Sequence, residues 1–193
     1  DQTEIGRLLL PALVGDFQLF NAACAITAIE ALQQLLPVTA TTIATGLHTT
    51  ILAGRFQLYS SHPQVILDVA HNPHAAYALA ENLRKFPSHG RTLAVFAMLA
   101  DKDIAGVIAA VDMEVDSWYV AGINNVRGAS AQHLANLIYL QVLEGDIQSF
   151  ADVTSAYLQA CMDAGENDRI IVFGSFFTVA DVMRVLTQDI LDD

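Results

Sequence analysis

One short stretch, Asp68-Val69-Ala70-His71-Asn72-Pro73-His74, brings a carboxylate, two imidazoles and an amide together. It lies between the apolar run Val65-Ile66-Leu67 and the alanine-rich segment that starts at Ala75. β-formers ending in Asp and His, with proline at a first helical turn, predict strand, loop, helix. In open α/β sheets ligands bind at that carboxyl edge of the strands. Two readings share the geometry at this point. Asp68 could cap the helix near Pro73 while His71 packs, or Asp68 could accept bonds from a ribose. The spacing of Asp68, His71 and His74 also has the look of a metal set. Pro73 disturbs the helical face such a set needs, and no further ligand is evident, so no metal is assigned.

Arg55 follows Gly54 and precedes a β-like run. A surface arginine lying on Phe56 is the plain reading; a bidentate phosphate clamp is the functional one. Three further strand ends carry polar turns that open helices: Asp101-Lys102-Asp103, Arg127-Gly128-Ala129-Ser130 and Gly174-Ser175. Capping by Asp101 and Ser175 accounts for them simply, and helix N-termini also bind anions. Asn21 opens a helical segment in the first part of the chain, where capping again competes with a contact to an adenine edge.

The elements that position these residues divide the chain near residue 53. Residues 1–53 are expected to be helical after a brief extended start, with an amphipathic helix over 21–35 ended by Pro37 and a shorter one over 41–47. Residues 54–193 alternate strands (55–60, 64–69, 91–98, 117–121, 169–173) with helices (73–86, 102–111, 130–142, 151–164, 175–188). That alternation predicts a Rossmann-like α/β fold, a mostly parallel sheet with helices on both faces. Strands 55–60 and 64–69 are too close for a crossover and should form an antiparallel edge hairpin. Asp68, Lys102, Arg127 and Ser175 are expected at one sheet edge.

The chain has 193 residues, 53% apolar and 16% charged, enough for a substantial core. Nine Lys and Arg against 21 Asp and Glu give a net charge of −12, which disfavours a nucleic-acid partner. Cys24 and Cys161 are isolated thiols, unlike a disulfide framework or a zinc site. No stretch has the length and apolarity of a membrane span, so a cytoplasmic protein without a membrane partner is expected. Neither Gly-x-x-x-x-Gly-Lys-[Ser/Thr] nor a post-strand Gly-x-Gly-x-x-Gly occurs. The opening segment reads as the middle of something longer, so a fragment is expected.

Several runs occur in an order that resembles one family. They are Phe17-Gln18-x-x-Asn21-Ala22-Ala23, Gly54-Arg55-Phe56-Gln57, Asp68 to Ala75, Met98-Leu99-Ala100-Asp101-Lys102-Asp103, Arg127-Gly128-Ala129 and Gly174-Ser175-Phe176. Together they resemble the carboxyl-terminal part of the bacterial folylpolyglutamate synthase/dihydrofolate synthases, of the Mur ligase superfamily. The resemblance implies an ATP-dependent, amide-forming ligase that adds L-glutamate to dihydropteroate or reduced folate through an acyl phosphate. It implies ATP contacts at Asn21, Arg55 and Asp68, with His71 and Ser175 catalytic near the reacting phosphate and incoming glutamate. Lys102 and Arg127 are substrate-side candidates. ATP and Mg2+ are the implied cofactors, the magnesium ligands coming from an amino-terminal P-loop ATPase domain. Residues 1–53 would then be the end of that domain, and the isolated chain is expected to be inactive. Phe177 stands where the family often has histidine or tyrosine. A Mur-type peptidoglycan precursor ligase and a non-catalytic nucleotide-binding module are the alternatives.

Overall fold

The computed structural model describes residues 10–86, 88–142 and 145–192, with the side chains of 189–192 left aside. Asp1–Leu52 and Ala53–Asp193 are two compact units. In the first, α1 (Asp16–Leu32) follows Gly15, and α2 (Ala40–Thr49) starts at Thr39, whose side chain accepts the Thr42 N–H. Helix α1 starts earlier than the 21–35 expected, because Asp16 to Phe20 continue the helix-competent run back to Gly15, where φ is 114°. Asn21 therefore lies inside the helix and caps nothing. No α1 residue is buried, so the expected amphipathic division is not seen within this unit. The expected extended start falls on residues 1–9, outside the described residues.

The second unit carries β1 (Gln57–Ser61), β2 (Gln64–Leu67), α3 (Pro73–Lys85), β3 (Thr92–Phe96), α4 (Ile104–Val111) and β4 (Ser117–Ala121). It continues with α5 (Ala131–Gln141), β5 (Asp146–Phe150), α6 (Val153–Asp163), β6 (Arg169–Phe173) and α7 (Phe176–Asp192). The six strands form one sheet in the order β1-β2-β6-β3-β4-β5. β1 pairs antiparallel with β2, Gln57 opposite Leu67 and Ser61 opposite Gln64, and the other pairings are parallel. Strand β5 is an addition to the five strands expected from the sequence. It is an edge strand, Asp-Ile-Gln-Ser-Phe, with no fully buried residue, so it lacks the apolar run that marks a central strand.

β3, β4 and β6 are buried along their whole lengths. Their alternate residues feed two cores, one on each face. Ala94, Phe96, Trp118 and Phe173 pack with Leu79 and Leu83 of α3, Val107 and Ile108 of α4, and Leu134 and Ile138 of α5. Leu93, Val95, Tyr119 and Val172 pack with Ala156 and Tyr157 of α6 and Val179 and Val182 of α7. Helices α3, α4 and α5 thus cover one face, and α6 and α7 the other.

Topology then fixes where a ligand can enter. β6 is inserted between β2 and β3, but its helix α7 leaves toward the opposite face from α3 and α4. The loop after β6 is therefore flanked on both sides by connections that turn away from it, the switch-point arrangement that opens a crevice.

Candidate functional site

The crevice is a pocket of about 200 Å³ lined by His71, Leu99, Lys102, Arg127, Gly174, Ser175, Phe176 and Phe177. His71 follows β2, Lys102 follows β3, Arg127 follows β4, and Ser175 follows β6. The structure thus brings together four of the residues singled out in the sequence. A second, open crevice of about 590 Å³ lies where α5 and α6 part between β4 and β5. Gly122, Asn124, Ser130 and Asp152 are among its lining residues, and no basic side chain is. Charge selects the first crevice for an anionic ligand.

The floor of that pocket is built on the aromatic core. Phe96 and Phe173 approach to 4.9 Å between ring centroids, and Trp118 meets Phe96 edge-on at 5.7 Å. Gly174 leaves this cluster with φ of 108°, its N–H donating to the Ala70 carbonyl at 3.0 Å. A Cβ there would lie 2.5 Å from the Ala97 oxygen and 2.9 Å from the Phe96 ring. Glycine is required by both dihedral and space. Ser175, only 4% exposed, then accepts the Phe177 N–H on its Oγ at 3.2 Å. Its hydroxyl hydrogen remains for a ligand.

His71 Nδ1 lies 2.8 Å from the Val69 carbonyl oxygen. A carbonyl can only accept, so Nδ1 carries the hydrogen and a neutral ring has its lone pair on Nε2. Phe176 stands between His71 and Arg55. Its ring centroid is 6.0 Å from the imidazole, and the Arg55 guanidinium carbon lies 5.9 Å away over the ring. Arg55 is exposed and does not line the pocket; Phe176 relates it to His71. The sequence motif contained Phe176, but nothing in its spacing marked this bridging position.

Asp68 sits at the same edge, outside the pocket lining and half-buried. Oδ2 accepts the Phe56 N–H at 2.8 Å, and Oδ1 accepts the Ala70 N–H at 2.8 Å. Asp68 is therefore not the cap of α3. Asn72 is, accepting the Ala75 N–H at 2.9 Å, because the strand ends too early for Asp68 to reach. Burial pushes the Asp68 carboxyl above its ordinary range, against the two N–H donors and the Arg55 charge.

Asp101 is likewise not a cap. Asp103 caps α4, accepting the Gly106 N–H at 2.9 Å. Asp101 instead accepts two bonds from Arg127, from Nε at 3.2 Å and Nη2 at 2.6 Å, and Lys102 Nζ lies 4.0 Å from it. The Arg127 hydrogen bond holds the Asp101 carboxyl below its ordinary range. Asn21 belongs to the first unit, on α1, where its Nδ2 donates to Gln18 Oε1 at 3.0 Å. Among the described residues, no group of three or more His, Cys, Asp or Glu side chains could hold a metal ion.

Residues 54–176 match the model of the Mur ligase glutamate ligase domain. The chain belongs to that family. It is 45% identical over 166 residues to the dihydrofolate synthase/folylpolyglutamate synthase of Escherichia coli K12, a match covering 86% of this chain and 37% of that protein. Among solved structures, E. coli FolC in complex with DHPP and ADP superposes with a TM-score of 0.84 at 43% identity, over 94% of this chain and 41% of that one. A bifunctional folylpolyglutamate synthase/dihydrofolate synthase with Mn, AMPPNP and L-glutamate bound gives 0.82 at 43% identity, over 93% and 41%. The chain thus spans about two fifths of the length of these three relatives. In this Mur ligase domain the matched region runs from the Gly54 turn to the first residue of α7. No helix among the described residues is long and apolar enough to cross a membrane.

Proposed function

We propose that this chain is the carboxyl-terminal part of an ATP-dependent ligase that joins L-glutamate to dihydropteroate or a reduced folate. The observation that carries the reading is the meeting of His71, Lys102, Arg127 and Ser175 in one switch-point crevice. Its match to synthases over nearly all of the second unit supports the substrate class. Residues 1–53 would belong to the upstream ATPase domain, with Asn21 meeting the adenine. The location expected for such an enzyme is the cytoplasm.

In this reaction the γ-phosphoryl group of ATP passes to the pterin substrate's carboxylate, giving an acyl phosphate and ADP. The glutamate nitrogen then attacks the acyl carbon, the carbon–oxygen bond to phosphate breaks, and the amine gives up a proton. Magnesium would screen phosphate charge, with its ligands supplied by the upstream ATPase domain. Arg55 neutralises transferring phosphate charge, while Asp68 holds the Arg55–Phe56 turn and keeps lone pairs for a ribose hydroxyl. Lys102 and Arg127 draw in the carboxylates of glutamate. His71, with its lone pair on Nε2, takes the amine proton, and Ser175 with the α7 N-terminus holds the anionic group.

The test is ligation by the intact protein, supplied with ATP, magnesium, labelled L-glutamate and dihydropteroate or tetrahydrofolate. A glutamylated pterin formed in step with ADP is expected. Failure with both pterins, or turnover of a nucleotide-linked peptide instead, would overturn the reading.

A further inference from the structure

Arg127 is an odd choice for an aimed cation. It sits at the end of an exposed loop, next to a fully exposed Val126, and 58% of its own side chain is exposed. A free arginine there would wander among rotamers, and holding it costs conformational entropy. Two backbone hydrogen bonds nevertheless fix its base. The Ala100 N–H donates to the Arg127 carbonyl at 2.8 Å and the Ala129 N–H to the Met98 carbonyl at 2.9 Å, together forming an antiparallel bridge between Leu99 and Gly128. Gly128 lets the loop after β4 fold closely on itself, since a Cβ there would lie 2.1 Å from the Ile123 oxygen. The loops after β3 and β4 are thereby joined under the pocket.

Only the side chain is left to orient, and Asp101 does so. Its two oxygens take Nε and Nη2 in a fork, and Lys102 lies 4.0 Å from the same carboxylate. Arg127 keeps three of its five donors for a ligand. Neither capping nor stability explains Asp101. Asp103 performs the capping, and an ion pair this exposed contributes little to folding.

We infer that Asp101 is a positioning residue: it aims Arg127, with Lys102 beside it, to receive a carboxylate of the incoming amino acid. The inference rests on the glutamate-ligase reading and adds to it a residue that touches no substrate.

The test is Asp101→Asn in the intact protein, with Asp101→Glu, Arg127→Ala and the Asp101→Asn/Arg127→Ala pair as companions. The amide loses the charge and one acceptor, so the KM for glutamate should rise roughly tenfold while kcat and the KM for ATP change less than about twofold. Asp101→Glu should recover part of the loss. Because Asp101 acts through Arg127, the double variant should be no worse than Arg127→Ala. An unchanged or lowered KM in Asp101→Asn would overturn the inference, as would additive losses in the double variant. Independently of turnover, the Arg127 Nε–H resonance should exchange faster with water in Asp101→Asn than in wild type. If wild type ligates no glutamate, the functional reading fails. The exchange measurement then still decides whether Asp101 holds Arg127, and equal exchange rates would overturn that.

Discussion

Asp68 Oδ2 accepts the backbone N–H of Phe56 at 2.8 Å, and Phe56 is a non-glycine residue with φ of 43°. A left-handed phenylalanine is strained by roughly 1–3 kcal/mol and persists only where its surroundings hold it. Asp68 does that holding from the end of β2. Phe56, 4% exposed, anchors the turn from the other side by packing edge-on against Phe86 at 5.7 Å. The conformation of Arg55, one residue earlier, is thus set by a carboxylate on the neighbouring strand.

Asp68→Asn should therefore destabilise the second unit. An amide supplies one acceptor oxygen and presents an NH2 to the other N–H, leaving a donor without a partner, at about 1–3 kcal/mol. Urea unfolding of the variant against wild type measures it. The carboxyl itself should titrate above its ordinary value, burial outweighing the two N–H donors and Arg55. Because the folded value is raised, the contribution of this titration to stability is full below the unfolded value. It is lost as pH rises through the folded one. Removing the Arg55 charge should raise the folded value further, which a carbon-detected carboxyl titration of Arg55→Ala would show.

The parts of this fold that are legible in the sequence are those with one dominant signal. β3, β4 and β6 are fully buried and apolar after their first residues, Thr92, Ser117 and Arg169, and the short gap around Pro63 leaves β1 and β2 no choice but a hairpin. β5 is hidden because an edge strand paired only with β4 needs few apolar residues, here the half-buried Ile147 and Phe150. Helix caps are ambiguous in the sequence for a different reason. Asp68 and Asn72, or Asp101 and Asp103, are equivalent acceptors on paper, and only the residue at which the strand ends decides between them. The crevice residues were visible as separate strand-end turns. Asp101 with Arg127, and Phe176 between Arg55 and His71, are partnerships across distant segments that spacing along the chain does not record.

Gly174→Ala should disrupt the pocket from below. Its φ of 108° disfavours any side chain, and the added carbon would press on the Ala97 oxygen and the Phe96 ring. A loss of about 1–3 kcal/mol is expected from strain and overpacking. The shift in the urea midpoint checks this, and Ser175 should be displaced enough to abolish ligation in the intact protein.

Tyr119 provides a probe of the amino-terminal end of the sheet, remote from the pocket. Burial, with the hydrogen bond to Asp163 at 2.8 Å, pushes its phenol up to about 12. With the folded value above the ordinary one of about 10, its contribution to stability is present below pH 10 and lost as pH rises through 12. Ultraviolet difference titration of wild type against Tyr119→Phe should show Tyr119 ionising late, and Asp163→Asn should bring its midpoint down.

Residues 1–193 by themselves should show no ATP-dependent ligation, since they contain no phosphate-binding Gly-x-x-x-x-Gly-Lys-[Ser/Thr] run. Product formation from the purified 193-residue polypeptide would refute this, and with it the assignment of nucleotide chemistry to a preceding domain.

Arg55 gives the sharpest test of the proposed chemistry. It is exposed, lies over the Phe176 ring, and has its backbone fixed through Phe56 and Asp68. If it clamps a transferring phosphoryl group, its contribution is largest where charge moves. Arg55→Ala in the intact protein should then lower kcat by roughly a hundredfold to a thousandfold, about 2.7–4 kcal/mol of transition-state stabilisation. Arg55→Lys should recover little, because an ammonium keeps the charge but lacks the planar fork and stacks poorly on the ring. Phe176→Leu should fall between wild type and Arg55→Ala, since it leaves the guanidinium present but without its ring. Steady-state kinetics with ATP varied at saturating glutamate measures all three. An Arg55→Ala enzyme matching wild type in kcat and in the KM for ATP would return Arg55 to an ordinary surface arginine, and the Asp68 staple would then serve the fold alone.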